Sequence, residues 1–80
     1  MRILDTNANT AIKNVILFLE VKEAKELYDS IGMLLKENNF AYHAHIDDTS
    51  YEHEVTVVLY DAQHMESLSE RSKKTILEDI

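Results

Sequence analysis

The chain of 80 residues contains no cysteine. Disulfides, thiolate metal sites and cysteine nucleophiles are therefore excluded, and the absence fits a cytoplasmic location. Proline and tryptophan are missing too, and the single glycine is Gly32. Nothing reads as a linker, and no glycine-rich loop exists to cradle a phosphate. The longest apolar run is Val15–Leu19, far short of the roughly 20 residues that span a bilayer. The start Met1-Arg2-Ile3-Leu4-Asp5 shows no charged region followed by a long apolar one, so no signal peptide is expected.

Positive charge is scarce: 8 lysines and arginines stand against 15 acids, a net charge of -7. From Glu37 to Glu70, both included, there is neither lysine nor arginine, yet eight acids and all four histidines fall there. Such a field repels nucleic acid and anionic membranes and attracts basic protein surfaces or cations. Direct nucleic-acid and membrane partners are thus not expected.

What remains is an ordinary globular composition, 45% hydrophobic and 29% charged, short enough for one domain over residues 1–80. Arg2-Ile3-Leu4 can form a short strand, and Thr6–Thr10 reads as a polar turn. Asn14–Glu20 is apolar on both faces, the pattern of a strand covered on both sides. From Val21 to Glu37 the period becomes helical, with Ala24, Leu27, Tyr28, Ile31, Leu34 and Leu35 forming the apolar face. Asn38-Asn39 ends that helix.

Two alternating strands follow. Phe40, Tyr42, Ala44 and Ile46 point one way; His43, His45 and Asp47 point the other. Glu54–Tyr60 is the partner strand across the loop 48–53. Keeping one face apolar sets Ile46 opposite Val55, Ala44 opposite Val57 and Tyr42 opposite Leu59. His45 then faces Thr56, His43 faces Val58, and Asp47 faces Glu54. The last element is a helix with a weak stripe of Met65, Leu68, Ser72 and Ile76, capped by Asp61 or by Ser67 in the Ser67-x-x-Glu70 spacing.

The order β-α-β-β-α predicts an α+β fold with two helices. A right-handed crossover followed by a hairpin gives a three-stranded mixed sheet of order 1-3-2, a ferredoxin-like half. Arg2-Ile3-Leu4 is available as a fourth strand. The second sheet face, with His43, His45, Val58 and Tyr60, needs a cover: the second helix, a twofold mate or a functional partner.

Three constellations could carry chemistry. His43, His45 and Asp47 share one strand face, where two imidazoles could hold a divalent ion, as in a small metal-dependent hydrolase. The string also matches part of the H-x-H-x-D-H motif of the metallo-β-lactamase superfamily. The chain is far too short for that scaffold, and Asp48 stands where the last histidine belongs. A polar edge strand, which discourages edge-to-edge aggregation, accounts for the same residues. His53 and His64 stand alone, and a part-exposed polar role accounts for each. Carboxylates are plentiful, but a catalytic pair needs a concave, partly dry pocket, for which this chain has little room.

The third constellation is the acidic loop. Tyr51 among Asp48, Glu52 and Glu54 joins an aromatic anchor to negative charge, which suits docking to a basic cleft. The expected partner-binding residues are His43, His45, Asp47, Asp48, Tyr51, Glu52 and Glu54, with no cofactor and no catalytic residue. A solvated hairpin loop is the plain alternative.

From Asn14 onward, the amphipathic helix Glu23–Glu37, then His43-Ala44-His45-Ile46-Asp47-Asp48, Glu54–Tyr60 and Ser69-Glu70-Arg71-Ser72-Lys73-Lys74 resemble small bacterial proteins. These are assigned to an immunity-protein family of polymorphic toxin systems. The resemblance implies a cytoplasmic inhibitor that binds and blocks a toxin, often a nuclease. Two other functions fit the residues: a phage or mobile-element inhibitor mimicking nucleic acid, and the metal-dependent hydrolase. The uncovered sheet face also leaves room for a homodimer.

Overall fold

The structure, a computed structural model, describes residues 1–37 and 43–80. Its elements run β1 (Ile3–Asp5), β2 (Thr10–Ile12), α1 (Val21–Glu37), β3 (His43–Asp47), β4 (Glu54–Val58) and α2 (Glu70–Glu78). The α+β class and the two helices are as expected. The single sheet of order 1-3-2 is not: among the described residues the strands pair two by two, β1 with β2 and β3 with β4, both antiparallel. The chain falls into two compact units, one of residues 1–17 and 66–80, the other of residues 18–65.

In the first unit, Arg2-Ile3-Leu4 does seed a strand, but its partner is Thr10–Ile12, its own hairpin return. The reversal is made by Asp5, whose Oδ1 accepts from the backbone N–H of Asn7 and Ala8 at 3.0 and 3.1 Å. Asn9 then takes a left-handed φ of 56°, which asparagine tolerates. Helix α2 begins at Ser69, not at Asp61 or Ser67. The Ser69 hydroxyl accepts from the Ser72 N–H at 3.1 Å. Glu70, the expected reciprocal partner of Ser67, instead reaches along the helix to Lys73 at 3.5 Å. Asp61, in the second unit, makes a turn instead, its carboxylate accepting from the Gln63 N–H at 2.9 Å. Leu68, Ser72 and Ile76 are half-buried, so the part of the weak stripe within this unit faces inward, while Met65 falls in the second unit. At the far end Asp79 caps α2 with φ 57° and pairs with Lys13 and Arg2, tying the helix to the hairpin.

The Ser69 cap satisfies one of the orphan N–H groups that every helix start leaves. Ser69→Ala is expected to cost about 1 kcal/mol, seen as a fall of roughly 4–8 °C in Tm. Ser67→Ala serves as the comparison in thermal unfolding and should leave Tm nearly unchanged. Equal shifts would place the cap elsewhere.

In the second unit, α1 has the bounds that the sequence period predicts. Its start is a half capping box: the Glu20 N–H donates to Glu23 Oε1 at 2.8 Å, and the Ala24 N–H donates to the Glu20 carbonyl at 2.9 Å. The helix packs on β3. The β3–β4 register is also as predicted, with Ile46 opposite Val55, Ala44 opposite Val57, His45 opposite Thr56, His43 opposite Val58 and Asp47 opposite Glu54. The Tyr42–Leu59 pair, the Asn38-Asn39 helix stop and Phe40 fall on or involve residues outside those described.

Two further expectations fail. Asn14–Glu20 forms no strand. Its alternation suits a ladder, but strand formation needs a neighbour to pair with, and this stretch carries the chain from the first unit into the second. Its side chains stay open, Ile16 at 77% and Phe18 at 90%. The apolar face of α1 is also only half used. Leu34 is buried and Leu27 half-buried, whereas Tyr28 and Leu35 are exposed. A two-stranded sheet is too narrow to cover so broad a stripe. The buried apolar residues of the described chain are Leu34 and Ile46.

Candidate binding site on the acidic hairpin

The loop 48–53 joining β3 to β4 is organised by one carboxylate. Asp48 Oδ1 accepts from the backbone N–H of Glu52 at 2.9 Å and of His53 at 3.3 Å, and from the Ser50 hydroxyl at 3.3 Å. Its Oδ2 meets the His53 imidazole at Nδ1. The Asp48 N–H closes the turn onto the His53 carbonyl at 3.2 Å. A short acidic side chain at a loop entrance does this well, because it reaches backbone donors that no strand would satisfy.

These contacts set the protonation of both partners. The His53 hydrogen bond, helped by the backbone donors, holds the Asp48 carboxyl at about 2, below its ordinary 3.8. The same bond and the Asp48 charge raise His53 above its ordinary 6.5. The Asp48 contribution is therefore complete above pH 3.8 and fades as pH falls toward 2. The His53 contribution is complete below pH 6.5 and fades as pH rises through its folded value. Between these limits the lock is whole. In a proton NMR titration the His53 ring should show a midpoint above 6.5, and Asp48→Asn should return it to near 6.5. An unshifted midpoint in the unaltered chain would mean the contact is not kept in solution.

On the strands, His45 Nδ1 lies 2.8 Å from Thr56 Oγ1 and 3.1 Å from Glu54 Oε1. Thr56 in turn donates its hydroxyl proton to Glu54 at 3.1 Å. Thr56 can then only accept, so Nδ1 carries the ring proton. The Thr56 hydroxyl first, and His45 with it, lower the Glu54 carboxyl. Asp47, directly across the ladder, is raised by partial burial and by the Glu54 charge. The like-charged pair is thus eased by the donors supplied to Glu54, while Asp47 gives up its proton less readily than an ordinary aspartate.

Four of the predicted residues meet in one place. His45, Asp47, Asp48 and Tyr51 line a cleft of about 330 Å³ together with Glu20, Lys22, Glu23, Glu26 and Thr49. His43, Glu52 and Glu54 do not line it. His43 instead packs edge-on against His45, the ring centroids 4.7 Å apart. Among the described residues no three histidines, cysteines or acids are grouped so as to hold a metal ion, so His43, His45 and Asp47 do not converge as the hydrolase reading requires.

The α1 half of the cleft was missed from the sequence. In the sequence Glu20 reads as the end of a strand, and Glu23 and Glu26 as part of the wet face of a helix. Only the packing of α1 on β3 brings them beside the hairpin. The result is five carboxylates around the cleft against one lysine. Among the described residues, none of the hairpin acids is paired with a lysine or arginine; the partners of Asp48 and Glu54 are histidines, hydroxyls and backbone.

Tyr51 stands at the rim, 81% exposed and with a left-handed φ of 58°. A bulky residue in that region is held at a cost of order 1–3 kcal/mol, and an exposed ring gives no packing in return. The Tyr51 N–H, bonded to the Asp48 carbonyl at 3.1 Å, fixes the backbone there. No helix of the described residues is long and apolar enough to cross a membrane. No protein-family model, no curated protein and no solved structure matches this chain.

Proposed function

We propose that this is a binding protein, an immunity protein or comparable inhibitor acting in the cytoplasm, whose acidic hairpin occludes a basic site on a protein partner such as a nuclease toxin. The observation that carries the reading is the acidic cleft with Tyr51 at its lip. Among the described residues its carboxylates pair with no lysine or arginine. Its aromatic residue is kept in a costly backbone conformation where only a partner would use it. Charge of one sign around an aromatic anchor favours fast encounter and then a buried central contact.

The test is capture with the intact chain as bait in the source cell, repeated with a variant carrying Glu26→Lys and Glu52→Lys. A basic protein retained by the first bait and lost by the second supports the reading. Retention of the same protein by both baits would remove the hairpin and its cleft from the interface.

A further inference from the structure

His43 and His45 stand two residues apart on β3, so both side chains leave the same face of the hairpin. Both are exposed. Their ring centres lie 4.7 Å apart, with the planes at 75°. Two imidazoles bound to one ion at about 2.0–2.1 Å, at a right angle or tetrahedrally, hold their centres roughly 4.5–5 Å apart. The rings therefore already have the separation of two ligands on a shared ion.

The hydrogen bonds behind His45 decide which nitrogen it offers. Nδ1 lies 3.1 Å from Glu54 Oε1 and 2.8 Å from Thr56 Oγ1. An ionised carboxylate only accepts, and the Thr56 hydroxyl gives its proton to that carboxylate at 3.1 Å. Nδ1 thus holds the ring proton, and Nε2 is left with its lone pair. Among the described residues, neither Nε2 of His45 nor the His43 ring makes a hydrogen bond. A carboxylate behind the far nitrogen of an imidazole fixes its tautomer and makes it a stronger ligand, the arrangement that supports metal-bound histidines. A strand kept polar only to discourage edge pairing would need neither the paired rings nor the fixed tautomer.

We propose that His43 and His45 together bind one divalent transition-metal ion, through Nε2 of His45 and a ring nitrogen of His43, with water in the remaining positions. No third histidine, cysteine or acid among the described residues joins them, so the site has two protein ligands and is not the three-residue centre of a hydrolase. Imidazole selects copper, nickel and zinc, whereas magnesium and calcium take oxygen ligands. Cu2+ stands highest in that series. A chain of net charge -7 also draws cations. The site is independent of the hairpin's protein partner.

The probe is Cu2+, added as its chloride to the full chain made without a histidine tag. Pulsed electron paramagnetic resonance of the frozen complex should show coupling to two ring nitrogens, and calorimetric titration should saturate at one ion per chain. His43→Ala and His45→Ala should each leave one coupled ring nitrogen and weaken binding by more than about 10-fold. His64→Ala, outside the strand, should change neither. Glu54→Gln with Thr56→Val removes no ligand. It should weaken binding roughly 10-fold and, in nitrogen-15 spectra of the metal-free chain, move the His45 ring proton from Nδ1 toward Nε2. Circular dichroism checks that each variant is folded, and the resonance of the unaltered chain decides the matter even where a variant is not. No binding, fewer than two coupled ring nitrogens, indifference to both alanine variants, or a His45 protonated at Nε2 in the unaltered chain overturns the proposal.

Discussion

Replacing Ile46 by alanine is expected to abolish the cooperative unfolding of the second unit. Ile46 is 6% exposed, and with Leu34 it makes up the buried apolar residues of the described chain. Deleting a buried isoleucine to alanine costs about 2–5 kcal/mol through lost transfer energy and the cavity left behind. Whole small domains hold only about 5 kcal/mol at the low end of the usual range. One substitution therefore removes most of the margin. Val58→Ala on the outer face of the same hairpin is the comparison. Val58 is 41% exposed, and surface changes usually stay within about 0.5 kcal/mol. Denaturant unfolding followed by far-ultraviolet circular dichroism should show a shallow, early transition for I46A and a near-normal one for V58A. Similar midpoints for the two would mean that Leu34 and Ile46 do not form the core on which α1 rests.

The second large effect concerns association. Glu26→Lys with Glu52→Lys takes the net charge from -7 to -3, since each replacement adds two units. Both side chains are exposed, and neither side chain takes part in the Asp48 network, so the loop keeps its shape. Asp48 itself is a poor site for such a test, because its carboxylate organises the turn. Toward a basic partner, the association rate should fall by roughly 10- to 100-fold at low salt. Dissociation should change far less. At about 1 M salt the Debye length is about 3 Å, and the two proteins should associate at similar rates. A loss that persists unchanged at high salt would point to disrupted contacts rather than to long-range attraction.

The elements legible in the sequence are those fixed by local pattern. The helical period gives α1 its bounds, and the demand for one apolar face gives β3–β4 its register, because a shift by one residue would turn Ile46 and Val57 outward. What the sequence hides is long-range choice. Asn14–Glu20 has the alternation of an interior strand, but no pattern within it says that a ladder partner will be present. Ser67 has the capping-box spacing to Glu70, yet the hydroxyl that meets the helix start is that of Ser69, with Ser72 rather than an acid three residues on. At the site, the hairpin half was readable as an acidic loop with one aromatic residue. The α1 half was not, because Glu20, Glu23 and Glu26 take their meaning from a helix packed beside the turn. Nor does helical period tell which part of a broad stripe a two-stranded sheet can cover, so Tyr28 and Leu35 read as core.

The Asp48 network has one more consequence. A recognition loop that is floppy in isolation must be ordered on docking, at about 0.5–1.5 kcal/mol for each immobilised side chain. Here the turn is already in place before any partner arrives, with its tyrosine presented and its backbone donors occupied. On the proposed reading of the hairpin as a binding surface, such preparation would let a small contact area yield tight binding, and the complex would close by rigid fit rather than by folding around its target.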